Sequence, residues 1–107
     1  MIEFKTKANR VNGEKARVCI QRHDLAPYGF GIGCRYNLVV SNDQITMTAS
    51  TLGERKVSRV TDKRRNVDYS TIDLRLPKDT VQALAAGSEN FQVFVDDGVI
   101  VIRRDSQ

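Results

Sequence analysis

Hydrophobic and polar positions alternate with a period of two along most of this chain, which predicts strands. Ile2 and Phe4 share one face of a first strand over residues 2–7, and Val18 and Ile20 share one face of Ala16–Ile20. Tyr36–Ser41 and Gln44–Ala49 are two β-rich runs, and Asn42-Asp43 between them suits a tight hairpin turn. Ile72, Leu74 and Leu76 alternate within Ser70–Leu76, and Phe91–Val95, Asp96-Asp97-Gly98 and Val99–Arg103 read as a second hairpin. Asn12-Gly13 is a further turn signal. Helical spacing is confined to short pieces. Asp24 is placed to cap one turn before Pro27. Pro77 precedes a helix over Lys78–Ala86 with Val81, Leu84 and Ala85 on one face and Gly87 as its C-cap. Residues 51–69 are polar and read as a linker with one weak strand.

The pattern occurs twice. A shift of 56 places carries Val18 to Leu74, Ile20 to Leu76 and Leu25 to Val81. A shift of 55 carries Leu38 to Val93, Val40 to Val95, Ile45 to Ile100 and Met47 to Ile102. Each unit is strand, short helical turn, glycine and hairpin, over about 15–50 and 70–104. A unit this small cannot bury a sheet face alone. The sequence therefore predicts one mostly β domain over 1–107, a small barrel built from both units and joined by 51–69.

The segment Arg17-Val-Cys-Ile-Gln, then Leu25, then Gly29-Phe30-x-x-Gly33 and a hairpin resembles the AbrB/SpoVT-like swapped-hairpin family, closest to its SymE-like variant. Ile72-Asp-Leu-Arg-Leu-Pro-Lys, a helix and Val93–Arg103 resemble the same family's strand, proline-started helix and hairpin. The resemblance implies a swapped-hairpin barrel with two units in one chain: a monomeric pseudo-dimer or a homodimer. It also implies DNA contacts around the first strand. The sequence stops soon after Arg104, so no toxin-binding tail is expected, and a stand-alone regulator or an interaction protein fits better than an antitoxin.

Charge sharpens this. The chain carries 17 basic and 13 acidic side chains, a net +4. Residues 51–69 alone hold six basic and three acidic side chains, whereas 70–107 hold four and six. A polyanion would be met by the basic half. Arg55, Lys56, Arg59, Lys63, Arg64 and Arg65 are candidates for phosphate contacts; Lys15, Arg17 and Arg22 flank the first strand, where the resembled family carries DNA-contacting residues, and the arginines of this unit are candidates for base edges in duplex DNA. The expected function is a double-stranded DNA-binding regulator of transcription. The alternative is a small phage- or plasmid-type inhibitor of another protein, in which Asp73, Asp79, Glu89, Asp96 and Asp97 are candidates to face the partner on equal terms with the basic residues. An RNA-targeting toxin is a weaker third reading, because no set of acid, base and nucleophile supports it.

Other chemistry is sparse. Gly29, Gly31 and Gly33 lack the spacing of a dinucleotide fingerprint. Cys19, Cys34 and His23 are too few for structural zinc. The thiols are expected to be buried, unbonded to each other and free of metal, and no catalytic residue or cofactor is assigned. No apolar run is long enough to span a bilayer and no leader segment is evident, which predicts a cytoplasmic protein without a membrane partner.

Overall fold

The computed structural model describes residues 1–12, 15–41, 43–85 and 90–104. The elements are β1 (Ile2–Asn12), β2 (Lys15–Arg22), a 3-10 turn (Ala26–Tyr28), β3 (Arg35–Val40), β4 (Gln44–Ala49), β5 (Arg55–Lys56), β6 (Ser58–Asp62), β7 (Val67–Pro77), α1 (Lys78–Ala85), β8 (Asn90–Asp96) and β9 (Val99–Arg104). The protein is mostly β. Its strands pair antiparallel in the order β5-β3-β4-β9-β8-β1-β2-β7-β6. β1 serves two sheets: Ile2–Lys7 pairs with β8, and from Ala8 onward the strand pairs with β2. The segment β5–β6 does the same for β3 and β7, bending at buried Val57.

The barrel expected from the sequence is not closed. β5 and β6, the two ends of the ladder, are consecutive in the chain and do not pair with each other. Chain continuity at Val57 joins the two sheets, and Val57 is held by its N–H to Cys34 O and its O from Gly33 N–H, at 2.8 and 3.0 Å.

Strand alternation sends one side chain in two to a single core. Val18, Ile20, Ile45, Met47, Ile72, Leu74, Val93, Val95, Ile100 and Ile102 are all essentially inaccessible, as are Leu25, Phe30 and Phe91. Full burial of such a side chain contributes about 1.5–3 kcal/mol relative to exposure. Helix α1 buries Val81, Leu84 and Ala85. The expected cap Gly87 lies outside the described residues, as do Gly13 and Asn42 of two expected turns. Gly98 supplies the positive φ, 75°, of the β8–β9 turn. Asp24 does not cap the 3-10 turn: Leu25 occupies that position without a side-chain bond, because the Asp24 carboxylate is engaged by Arg22.

The ladder has a near two-fold regularity. Val40 pairs with Ile45 in one hairpin, and Val95 with Ile100 in the other. Between the hairpins Ile45 pairs with Ile102 and Met47 with Ile100, so exchanging residues 55 apart leaves that ladder unchanged. In β2–β7, Val18 pairs with Leu74, Ile20 with Ile72 and Ala16 with Leu76, which an exchange over 56 places also preserves. Residues 51–69, expected to be a linker, instead supply β5, β6 and the first residues of β7.

Candidate nucleic-acid interface

The last β7 residue that β2 reaches is Ser70, opposite Arg22. Beyond it, β6 is the only strand neighbour of β7 among the described residues, so residues 60–69 project from the sheet as a two-stranded ribbon. At the ribbon's tip the Asp62 carboxylate accepts the backbone N–H of Arg64 at 3.0 Å and of Arg65 at 3.4 Å. An Asp does this readily because its short side chain mimics a backbone turn. Asn66 then takes the left-handed conformation, φ 53°, which asparagine tolerates better than most residues. The result is a turn, 63–66, whose backbone is closed while Lys63, Arg64 and Arg65 point to solvent.

Two carboxylates temper this charge only weakly. Arg65 Nε stands 4.0 Å from Asp62 Oδ2, and Arg59 Nη1 stands 3.8 Å from Asp68 Oδ2. Their guanidinium-bearing side chains remain 76% and 62% exposed. Exposed pairs at such separations contribute about 0–1 kcal/mol, so both arginines are free to turn to a stronger anion. Thr61 Oγ1 donates to Asp68 Oδ1 at 2.6 Å and satisfies part of that carboxylate.

The remaining candidates are placed differently. Arg17 lies on the outer face of β2, opposite Arg75 of β7. Asp73 sits between them, 2.8 Å from Arg17 Nε and 3.9 Å from Arg75 Nε. The hydrogen bond and charge of Asp73 raise the Arg17 pKa above its ordinary value. Sequence reasoning does not single out Arg75. Its parity, opposite to that of Ile72, Leu74 and Leu76, is the signal that puts it on the outer face. Arg22 is built into the fold: it grips Asp24 through two bonds of 2.7 and 2.8 Å and lies over the Phe4 ring at 4.4 Å. The Arg22 hydrogen bonds hold the Asp24 carboxyl below its ordinary value. Arg55 is half-buried opposite Tyr36, whose phenol pKa burial raises. Lys56 is exposed on β5. The Lys15 backbone belongs to β2, and its side chain lies outside the described residues. The structure thus gathers Lys63, Arg64 and Arg65 on one ribbon with Arg59 at its base, sets Arg17 on the sheet face, and uses Arg22 to hold the start of the 3-10 turn.

The thiols depart from expectation. Cys34 is exposed and Cys19 is half-buried; neither is fully buried. Cys34 closes the turn after Gly31, donating its N–H to Gly31 O at 3.0 Å, and this position leaves its side chain at the surface. Cys34, Gly29, Gly33 and Arg35 line an open groove of about 410 Å³. His23 meets the edge of Tyr69 at a centroid distance of 6.1 Å. Among the described residues no cluster of His, Cys, Asp or Glu is suited to a metal ion, and no helix is long and apolar enough to cross a membrane.

Comparison of the chain with protein-family models, with curated proteins and with solved structures found no match.

Proposed function

We propose that this protein binds double-stranded DNA through the β6–β7 ribbon and acts as a regulator of transcription. One observation carries the reading: a projecting two-stranded ribbon whose tip presents three consecutive cations, Lys63, Arg64 and Arg65, on a backbone-closed turn. The major groove, about 12 Å wide, admits a two-stranded ribbon. A closed turn presents its cations without first having to be ordered, which spares the complex an entropic penalty. Arg59 adds a fourth cation at the ribbon's base, and Arg17 with Arg75 extends basic surface onto the sheet. The tip carries no aromatic side chain on which unpaired bases would stack, so duplex is favoured over single strands.

The test is fluorescence anisotropy of a labelled duplex of random sequence at about 50 mM salt, where the screening length is still more than 10 Å. Wild-type protein binds, and replacement of Lys63, Arg64 and Arg65 together by alanine weakens binding to all sequences alike, because phosphate contacts position rather than specify. Absence of duplex binding under these conditions refutes the reading. Co-purification with a protein partner in its place would support the inhibitor alternative.

A further inference from the structure

Strand β3 is paired along one edge with β4, from Tyr36↔Ala49 to Val40↔Ile45. Its other edge meets β5 at Arg35 and Tyr36 alone. The corresponding strand of the ladder, β8, is covered from Asn90 to Val95 by Lys7 to Ile2 of β1. No strand among the described residues gives Leu38–Val40 the equivalent cover, because the chain leaves β4, turns at 51–54 and enters the two-residue β5 directly.

Backbone directions show what this edge offers. Arg35 O accepts from Ser50 N–H and Ser41 N–H donates to Gln44 O, so the odd residues of β3 turn their peptide groups toward β4. Cys34 O accepts from Val57 N–H on the opposite side. The N–H and C=O groups of Leu38 and Val40 therefore aim at the open edge. Exposed edges are normally blunted by lysine, proline or a bulge. The stretch Asn37-Leu38-Val39-Val40-Ser41 has no charged residue and no proline. Its centre is apolar: Leu38 is half-buried against the core, while Val39 is 64% exposed and Val40 37%. Glu54 N–H bonds Asn37 Oδ1 at 3.3 Å and so brings the loop of Leu52, 90% exposed, beside the same edge.

We infer that this edge pairs with β3 of a second copy of the chain, antiparallel and centred on Val39, giving a two-fold homodimer. In that register Leu38 lies opposite the partner's Val40, and Val39 lies opposite the partner's Val39. Each Leu38–Val40 pair exchanges two backbone bonds, so four orphan groups on each chain are satisfied. Length decides for a second copy over a foreign strand. A strand covering β3 as β1 covers β8 would run into β5, which already occupies Arg35 and Tyr36. β3 itself ends at Val40 and turns away at Ser41, so a second β3 fits the open stretch. The absence of charge here also lets two chains of net charge +4 meet without opposing like charges across the new pair.

Sedimentation velocity across a concentration series tests this. The wild-type protein reaches twice the 12.0 kDa of one chain, while Val39→Lys stays at one chain with an unchanged unfolding curve. Register is read by oxidative cross-linking with copper–phenanthroline in a Cys19→Ser, Cys34→Ser background. Val39→Cys bonds to itself across the two-fold, and Asn37→Cys, opposite the partner's Ser41, does not. Wild-type protein that stays at one chain mass overturns the inference, whether or not the edge captures a foreign extended peptide. So does a dimer that survives Val39→Lys, or Asn37→Cys cross-linking as fast as Val39→Cys.

Discussion

Replacing Gly53 by alanine tests whether the segment that carries the basic ribbon is locked to the core. A Cβ at Gly53 would stand 2.5 Å from the backbone N, C and O of Tyr36. Those atoms belong to a buried residue paired on both sides, to Ala49 and to Arg55, so they have little freedom to retreat. The loop must move instead. Gly53 N–H to Ser50 O at 3.0 Å and Glu54 N–H to Asn37 Oδ1 at 3.3 Å would both be stretched, as would the Arg35 bond to Gly53 O at 3.3 Å. Overpacking costs about 1–3 kcal/mol, and each strained hydrogen bond adds about 0.5–1.5 kcal/mol. A loss of about 2.5–7.5 kcal/mol is expected, out of a total stability of about 5–15 kcal/mol for a domain. At roughly 4–8 °C per kcal/mol for a domain near this size, Tm falls by at least ~10 °C. Circular dichroism in heat and urea reads the change. Gly98→Ala is the control: it carries the strained φ of 75° but meets no atom within 4 Å, so its loss is about 1–2 kcal/mol. A Gly53→Ala protein within about 0.5 kcal/mol of wild type, the range of an ordinary surface substitution, would refute the reasoning.

Three further outcomes are expected. Removing one cation that touches phosphate flattens the log–log salt slope of duplex binding by about 0.9. If all three tip cations touch phosphate, the Lys63, Arg64 and Arg65 triple variant therefore loses roughly 40-fold less affinity than wild type between 50 and 200 mM salt. The carboxyl of Asp24 has a lowered pKa in the folded protein, so its contribution to stability is present above the unfolded value of about 3.9 and is lost as pH falls through the folded value. The urea midpoints of wild type and Asp24→Asn should accordingly differ at pH 6 and converge on acidification. Cys34, exposed, should react with a disulfide reagent in the native protein well before half-buried Cys19, as mass spectrometry of Cys19→Ser and Cys34→Ser variants would resolve.

The hairpins are legible because burial writes a period of two directly into the chain: Tyr36, Leu38, Ile45 and Met47 in one, Val93, Val95, Ile100 and Ile102 in the other. β5 and β6 are not. Ser58–Asp62 lies along one edge of β7 with its side chains mostly in solvent, so no apolar alternation records it. Its partners lie in a strand that is itself defined by distant residues. The alternation that marks β1 stops at residue 7 for a related reason: beyond Lys7 the strand changes partners, from β8 to β2, and the polar run Asn9, Arg10 and Asn12 hides the continuation. In the candidate site, charge composition points to the central segment but not to its form. A ribbon depends on where β2 stops pairing with β7, which only the ladder register shows. Arg22 is the counterpart case. A lone arginine beside a strand looks available, and its commitment to Asp24 and Phe4 follows from a turn geometry that spacing alone does not set.

The order of strands bears on how the chain reaches its fold. β9 and β8 stand between β4 and β1, and β7 stands between β2 and β6. The chain up to the end of β6 would have only the β3–β4–β5 strands, the β1–β2 pair and a lone β6, with the edges of β4, β1, β2 and β6 that meet these neighbours left bare. Ile2 waits for Val95, and Ile45 for Ile102. During synthesis the sheet completes only once residues near 104 are free, so the nascent chain depends on protection of those edges until late. With β1–β8, β2–β7 and β4–β9 all pairing across distant parts of the sequence, refolding is slow for a domain of this size, and assembly of the two halves is cooperative. A chain cut in the 63–66 turn would yield two fragments that remain unfolded apart and fold on mixing.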